Sequence, residues 1–244
     1  MSGEIAFTNT ALESSAALVT FVLLFACIAK IKMQRGIKHV TSKNAKRNTL
    51  DYILIIWLVI HMIVLTADVL SWTAMDFGKN EVWLLFMLNL TFTCLFLECM
   101  VYTYYVKETI YQHEMIGNTY VYLVMLSTVI AIILWITSDI SGKFYYLDTQ
   151  GNYTQGSMYW LCQFYCIIVM CGNIVILLKH RKALVRHDVL SLLMYGLIPI
   201  ASIPAQMLWK STTFNLATTL ALIYICISVH MAQYDRIVEQ EKLL

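Results

Sequence analysis

Charge is what this sequence has least of. Asp, Glu, Lys and Arg make up 13% of its 244 residues, where an ordinary soluble domain carries about 25%. Apolar residues make up 59%, and the mean hydropathy is +0.68. Such a composition points to lipid, and a net charge of +2 is too small to suggest nucleic acid. There is no Gly-rich phosphate loop, no nucleophile elbow and no His-Glu-x-x-His, so no residue is assigned a catalytic role and no cofactor is expected. The seven cysteines (27, 94, 99, 162, 166, 171 and 226) all fall inside apolar runs. That excludes a disulfide framework in exposed loops and suits small hydrophobes packed between helices. Cys162 and Cys166 share a helical face, but no loop clusters Cys or His, so no metal site is expected. No cleavable leader is recognised, because the first apolar run starts near Ser14 and is about 20 residues long, enough to span.

What is present is a series of apolar runs, giving an all-α fold of seven transmembrane helices. The spans are read at about 14–33, 49–72, 82–106, 119–137, 157–178, 189–209 and 214–231. Residues 1–13 form a polar segment ahead of the first span. Asp51 suits the first turn of span two, and Asp188 suits the N-cap of span six. The turn Ser211-Thr-Thr213 suits a cap for span seven. The longest loop, 138–156, is rich in Gly, Asn, Asp, Ser and Tyr. Proline occurs twice, at Pro199 and Pro204 in span six. Both free backbone carbonyls and mark a candidate hinge.

The basic residues fix an orientation. Fourteen of the seventeen Lys and Arg lie on the face holding loops one–two, three–four and five–six and the C-terminal tail, while Lys79, Lys143 and Lys210 lie on the other. The positive-inside rule then places the N-terminus outside and the C-terminus in the cytoplasm. Trp72, Trp83, Trp135, Trp160 and Trp209 fall near the outer boundary, as an aromatic belt would.

Ionisable groups within a bilayer are costly, so each calls for an account. Asp68 lies about one turn inside the outer end of span two, with His61 one heptad earlier. Asn89, Gln163 and Gln206 fall at a similar depth. With Trp72, Tyr159 and Trp160 they outline an outward-facing ligand site centred on Asp68. The competing expectation is that these groups are interhelical glue, worth about 0.6 kcal/mol each. His61 suits a packing histidine, and Glu98, in the inner half of span three, suits a relay or a protonated packing group. Span seven has no interior Lys, which excludes a retinal Schiff base. Two Asn-x-Thr sequons occur, one at Asn89 within a span and one at Asn152 in the outer loop.

From Asn215 the chain runs as an apolar helix to His230 and then as a polar one to Leu244, with no Gly or Pro between. A helix leaving the membrane in this way can act as a lever. Tyr234, Ile237, Glu241 and Leu244 have the 3-4-3 spacing of the start of a heptad seam.

Several stretches resemble the bacterial seven-transmembrane sensory regions fused to histidine kinase or diguanylate cyclase modules. Asp68-Val-Leu70-Ser71-Trp72 followed by Asp76-Phe-Gly78 resembles that family's end of span two. Tyr153-Thr-Gln-Gly156-Ser-Met-Tyr159-Trp160 resembles its start of span five, where members often have Arg-Gly-Pro and Gln155 and Ser157 stand here. Lys179-His-Arg181-Lys182 resembles the basic exit of that span, and Pro199, Pro204 and Gln206 its proline-broken span six. The similarity covers most of residues 50–244. It implies a receptor in the bacterial cell membrane that senses a small-molecule or peptide ligand, with a cytoplasmic output module beyond Leu244 and a homodimeric assembly. Animal seven-span receptors match poorly, since span three lacks Asp-Arg-Tyr and span seven lacks Asn-Pro-x-x-Tyr. A reading of another class is a small transporter or channel in which Asp68, His61 and Glu98 form a proton or cation path. Two equal inverted halves would favour it, and no convincing internal similarity is found.

Overall fold

The computed structural model of the protein describes residues 3–36, 42–77, 81–112, 115, 117–149, 153–209 and 213–241. It is a helical bundle. The long helices are α1 (Gly3–Gly36), α2 (Ser42–Phe77), α3 (Glu81–Tyr111) and α4 (Thr119–Ile136), with a one-turn α5 (Ser138–Ser141) after them. They are followed by α6 (Trp160–His180), α7 (Arg186–Trp209) and α8 (Thr213–Glu241). Among the described residues, α1, α2, α3, α4, α6 and α7 contain stretches long and apolar enough to cross a membrane. The apolar part of α8, Thr213–Val229, is shorter.

Consecutive helices run antiparallel and close a ring. Lys30, near the end of α1, reaches Asp51 at 2.6 Å; because α2 begins at Ser42, Asp51 lies more than two turns inside it and not in its first turn as the sequence suggested. Trp57 of α2 packs on Tyr102 and Tyr105 of α3, while Ala74 packs with Leu84 and Leu88 at the opposite end. Phe92 of α3 stacks on Trp135 of α4 at 3.8 Å. The Tyr120 hydroxyl of α4 donates to the carbonyl of Val169 in α6. Gly196 of α7 meets Ile174 of α6 so closely that an added Cβ would lie 2.9 Å from it. Ser228 of α8 donates to the His187 carbonyl at the start of α7, and α8 then packs along α1 and α2. Large apolar side chains face outward on α1 (Leu18, Val22, Phe25) and α4 (Leu123, Leu126, Ile133). Those faces lie on the perimeter, where lipid substitutes for a core.

Three elements differ from the sequence reading. Helix α1 begins at Gly3, so residues 3–13 extend the first helix instead of preceding it as a loose polar segment. The 138–156 loop contains an antiparallel hairpin, β1 (Tyr145–Leu147) with β2 (Tyr153–Gln155), Tyr146 lying opposite Thr154. Its foot is the buried Ser138, whose Oγ accepts from the Phe144 and Tyr145 amides at 2.9 Å each and donates to the Tyr145 carbonyl. Asp188 lies inside the first turn of α7 rather than at its cap, a position that still suits the helix dipole. Trp135, expected in an outer belt, is fully buried among aromatic rings, whereas Trp83 and Trp160 are exposed. Helix α7 is continuous through Pro199 and Pro204, Pro199 buried and Pro204 exposed. Ser202 Oγ donates to the Pro199 carbonyl at 2.7 Å. Residues 211 and 212 of the expected cap, and Asn152, lie outside the described residues.

Candidate functional site

The costly polar groups of the bundle meet where α1, α2, α3 and α8 adjoin. Helix α1 buries a single stripe, Asn9, Glu13, Ala16, Thr20 and Cys27, at three- and four-residue steps and their multiples. Its polar members face the end of α2 and the start of α8. There Asn215 spends both amide hydrogens on carboxyl groups. Its Nδ2 donates to Glu13 Oε1 at 3.0 Å and to Asp68 Oδ2 at 2.8 Å. Ser71 donates to the Asp68 carbonyl and lies 3.4 Å from Asp68 Oδ1. Glu13 is fully buried, and its Oε2 has no N–H or O–H donor. One amide nitrogen thus gathers the Glu13 and Asp68 carboxyls.

One turn deeper on α8, Thr219 takes over. His61 Nε2 lies 2.8 Å from Thr219 Oγ1, and His61 Nδ1 lies 2.7 Å from Glu98 Oε1. His61 and Glu98 are 0% and 2% exposed, so water cannot complete their hydrogen bonding. The Thr219 hydroxyl also lies 2.9 Å from the Asn215 carbonyl one turn back. The imidazole and the carboxyl thus answer each other across α2 and α3, as ionisable groups inside a bilayer require. Two side-chain groups, Glu98–His61–Thr219 and Asp68–Asn215–Glu13, thus form a column across four helices, joined on α8 through the Asn215 backbone carbonyl.

The expected ligand set divides around this column. The buried Trp72 indole N–H makes no hydrogen bond among the described residues, and Tyr159 packs against Phe92 and Trp135. Gln163 Nε2 donates to the Tyr159 hydroxyl at 3.4 Å. Trp160 points outward against Phe164. Asn89 is engaged elsewhere, donating to Asp139 Oδ2 at 3.1 Å and meeting the Tyr145 hydroxyl at 2.7 Å. That hydroxyl also donates to the Asp139 carboxylate; burial first, then Asp139, holds its pKa well above the usual phenol range. The side chain of Gln206 lies outside the described residues. Asp68 is therefore occupied by Glu13 and Asn215, and a groove of about 300 Å³ lies at the opposite end, between Arg181, Arg186 and Leu193.

Glu13 and Asn215 are the members that sequence reasoning missed. The available signal was the spacing of Asn9, Glu13, Ala16 and Thr20, which continues the buried face of α1 upstream of the apolar run. The small, β-branched and polar residues of α8, Asn215, Thr218 and Thr219, carried a similar signal. No model of a known protein family matches the chain, and no curated protein matches it.

Proposed function

We propose that this chain is the sensory region of a membrane signal receptor. In this reading it spans a bacterial cell membrane seven times with its N-terminus outside. An external or membrane-borne cue acts on the outer half, and α8 passes the response to a cytoplasmic output module working as a dimer. The observation that carries the proposal is the double engagement of α8. It links the charged groups of α1, α2 and α3 through Asn215 and Thr219, and it continues as one helix to Glu241, well past its apolar part. A change at the column therefore has a rigid path out of the bundle. Packing supports the seventh crossing: α8 lies in the ring beside α1 and α7, and its apolar part, Thr213–Val229, is about 26 Å long at 1.5 Å per residue. The bias of fourteen basic residues to three supports the orientation. The resemblance to kinase- and cyclase-linked sensory regions supports the role.

The test is a chimera fusing the chain at Leu244 to a kinase or cyclase module. Seven residues inserted after Arg236 roughly restore the helical face, while four rotate the downstream part by about 40°. The proposal expects cue-dependent output in the first and locked output in the second. Equal regulation by both would reduce the helix to a tether.

One observation favours a second reading, a proton or cation path. His61 and Glu98 meet Thr219, and Asp68 meets Asn215, one turn apart on α8. Proton uptake by vesicles carrying the protein, abolished by Glu98→Gln, would establish transport; its absence leaves the receptor reading.

A further inference from the structure

Two pairs of ionisable groups stand on the column, one hydrogen-bonded directly and one joined by the Asn215 amide, and they differ in what they can exchange with water. The His61–Glu98 pair is sealed in the bundle. The Glu13–Asp68 pair has one sealed member, Glu13, and one half-buried member, Asp68, near the hairpin end. Both hydrogens of the Asn215 amide are committed, one to each carboxyl. That leaves the buried Glu13 Oε2 with no donor, beside a second carboxyl held by the same amide nitrogen. A carboxylate carries no hydrogen. Two carboxyls gathered on one amide repel each other unless one of them is protonated, as in other paired carboxyls that cannot both ionise.

Resting on the receptor reading, we infer that the Glu13–Asp68 pair is a proton-binding site, and that its occupancy sets how α8 is held against α1 and α2. The ligand is the proton itself. With it bound, the pair carries one negative charge, delocalised across two carboxyls and answered by the Asn215 amide. Releasing it to water at the half-buried Asp68 breaks one O–H bond, passes the proton to a water molecule and leaves two carboxylates on the same amide. Their repulsion separates α1 from α2, and Asn215 can follow only one of them. The groups facing the pair do not supply a compensating cation. From α2 and α3 come His61 and Glu98, hydrogen-bonded to each other. From α2 come the Ser71 hydroxyl, 3.4 Å from Asp68 Oδ1, and Trp72, one turn on from Asp68. Among the described residues no Lys or Arg makes an ion pair with either carboxyl. Acid thus favours the closed arrangement and alkali the separated one.

The protein in lipid bilayers, stepped from acid to alkaline buffer, should lose an infrared carbonyl band of a protonated carboxylic acid, shifted in heavy water. The band should be absent in both Glu13→Gln and Asp68→Asn and kept in Glu98→Gln. Either of the first two variants suffices, because the shared proton needs both partners. The distance between spin labels at the exposed positions Phe25 and Ile227 should change by about 1–2 Å, the scale of a helix shift, over the same pH step. In Glu13→Gln, whose amide can donate as the acid did, it should stay at its acid value. No titrating band dependent on Glu13 and Asp68 would overturn the site, and a band without a distance change would overturn the coupling. A chimera without regulated output, with band and distance change intact, strikes the receptor reading and leaves the proton site supported.

Discussion

The two flanks of the bundle are built from opposite materials. On the α3–α4–α6 flank, Trp135 stacks on Phe92 and packs against Phe96, Phe144, Tyr145 and Tyr159, and the hairpin closes over it. On the α1–α2–α8 flank the outer contacts are Glu13, Asp68, Asn215, His61 and Thr219, with Glu98 reaching in from α3. An aromatic cluster has one good arrangement and no proton to lose. A column of acids, an imidazole and an amide has as many arrangements as it has protonation states. The first flank is suited to be a frame, the second to be the part that moves, and α8 belongs to the second.

The sharpest way to break that contrast is to remove the centre of the frame. Trp135→Ala deletes the side chain on which five rings meet. It should cost about 3–5 kcal/mol, read as a large fall in thermal unfolding temperature in lipid or detergent. A near-neutral result would mean that the aromatic flank is not the frame. Ser138→Ala tests the hairpin's foot and strands two buried backbone amides. A loss of about 1–3 kcal/mol is expected, with the hairpin amides gaining hydrogen exchange before the helices do. In the polar flank, a double-mutant cycle of His61→Phe and Glu98→Gln should give a coupling of about 1–2 kcal/mol. That exceeds the ~0.6 kcal/mol average for hydrogen bonds between membrane helices, because both partners are ionisable and buried. Zero coupling would make them independent packing groups. The smallest effect on stability is expected from Asp68→Asn, under about 1 kcal/mol, since an amide keeps the shape and can still accept from Asn215. Its effect should appear in the response and its pH dependence; a variant that responds like wild type at every pH would make Asp68 glue.

Most of the helical frame was legible because hydropathy is a sum over some twenty residues and tolerates local error. Spans two to six were placed to within a few residues of their helices for that reason. The cost of ionisable groups in lipid also singled out Asp68, His61 and Glu98 as groups needing partners. Which partners they take was not legible. Asn89, Gln163 and Gln206 were chosen by depth alone, and depth says nothing about rotation around a helix axis. Asn89 turns toward Asp139 and Tyr145. The true partners, Glu13 and Asn215, lay at the margins of apolar runs, where a hydropathy window assigns polar residues to loops. The hairpin was hidden for a related reason, since its strands are three residues each and depend on Ser138 and on Trp135 beneath them.

The contrast between the two flanks can be measured in one experiment with two pairs of spin labels. One pair, at Phe25 and Ile227, spans α1 and α8; the other, at Ile133 and Phe164, spans α4 and α6, and all four positions are exposed. The protein in lipid bilayers is taken from acid to alkaline pH and both distance distributions are recorded. The account predicts that the α1–α8 distance shifts while the α4–α6 distance stays fixed. If both stay fixed, or if the α4–α6 pair moves and the α1–α8 pair does not, the assignment of frame and moving part is wrong.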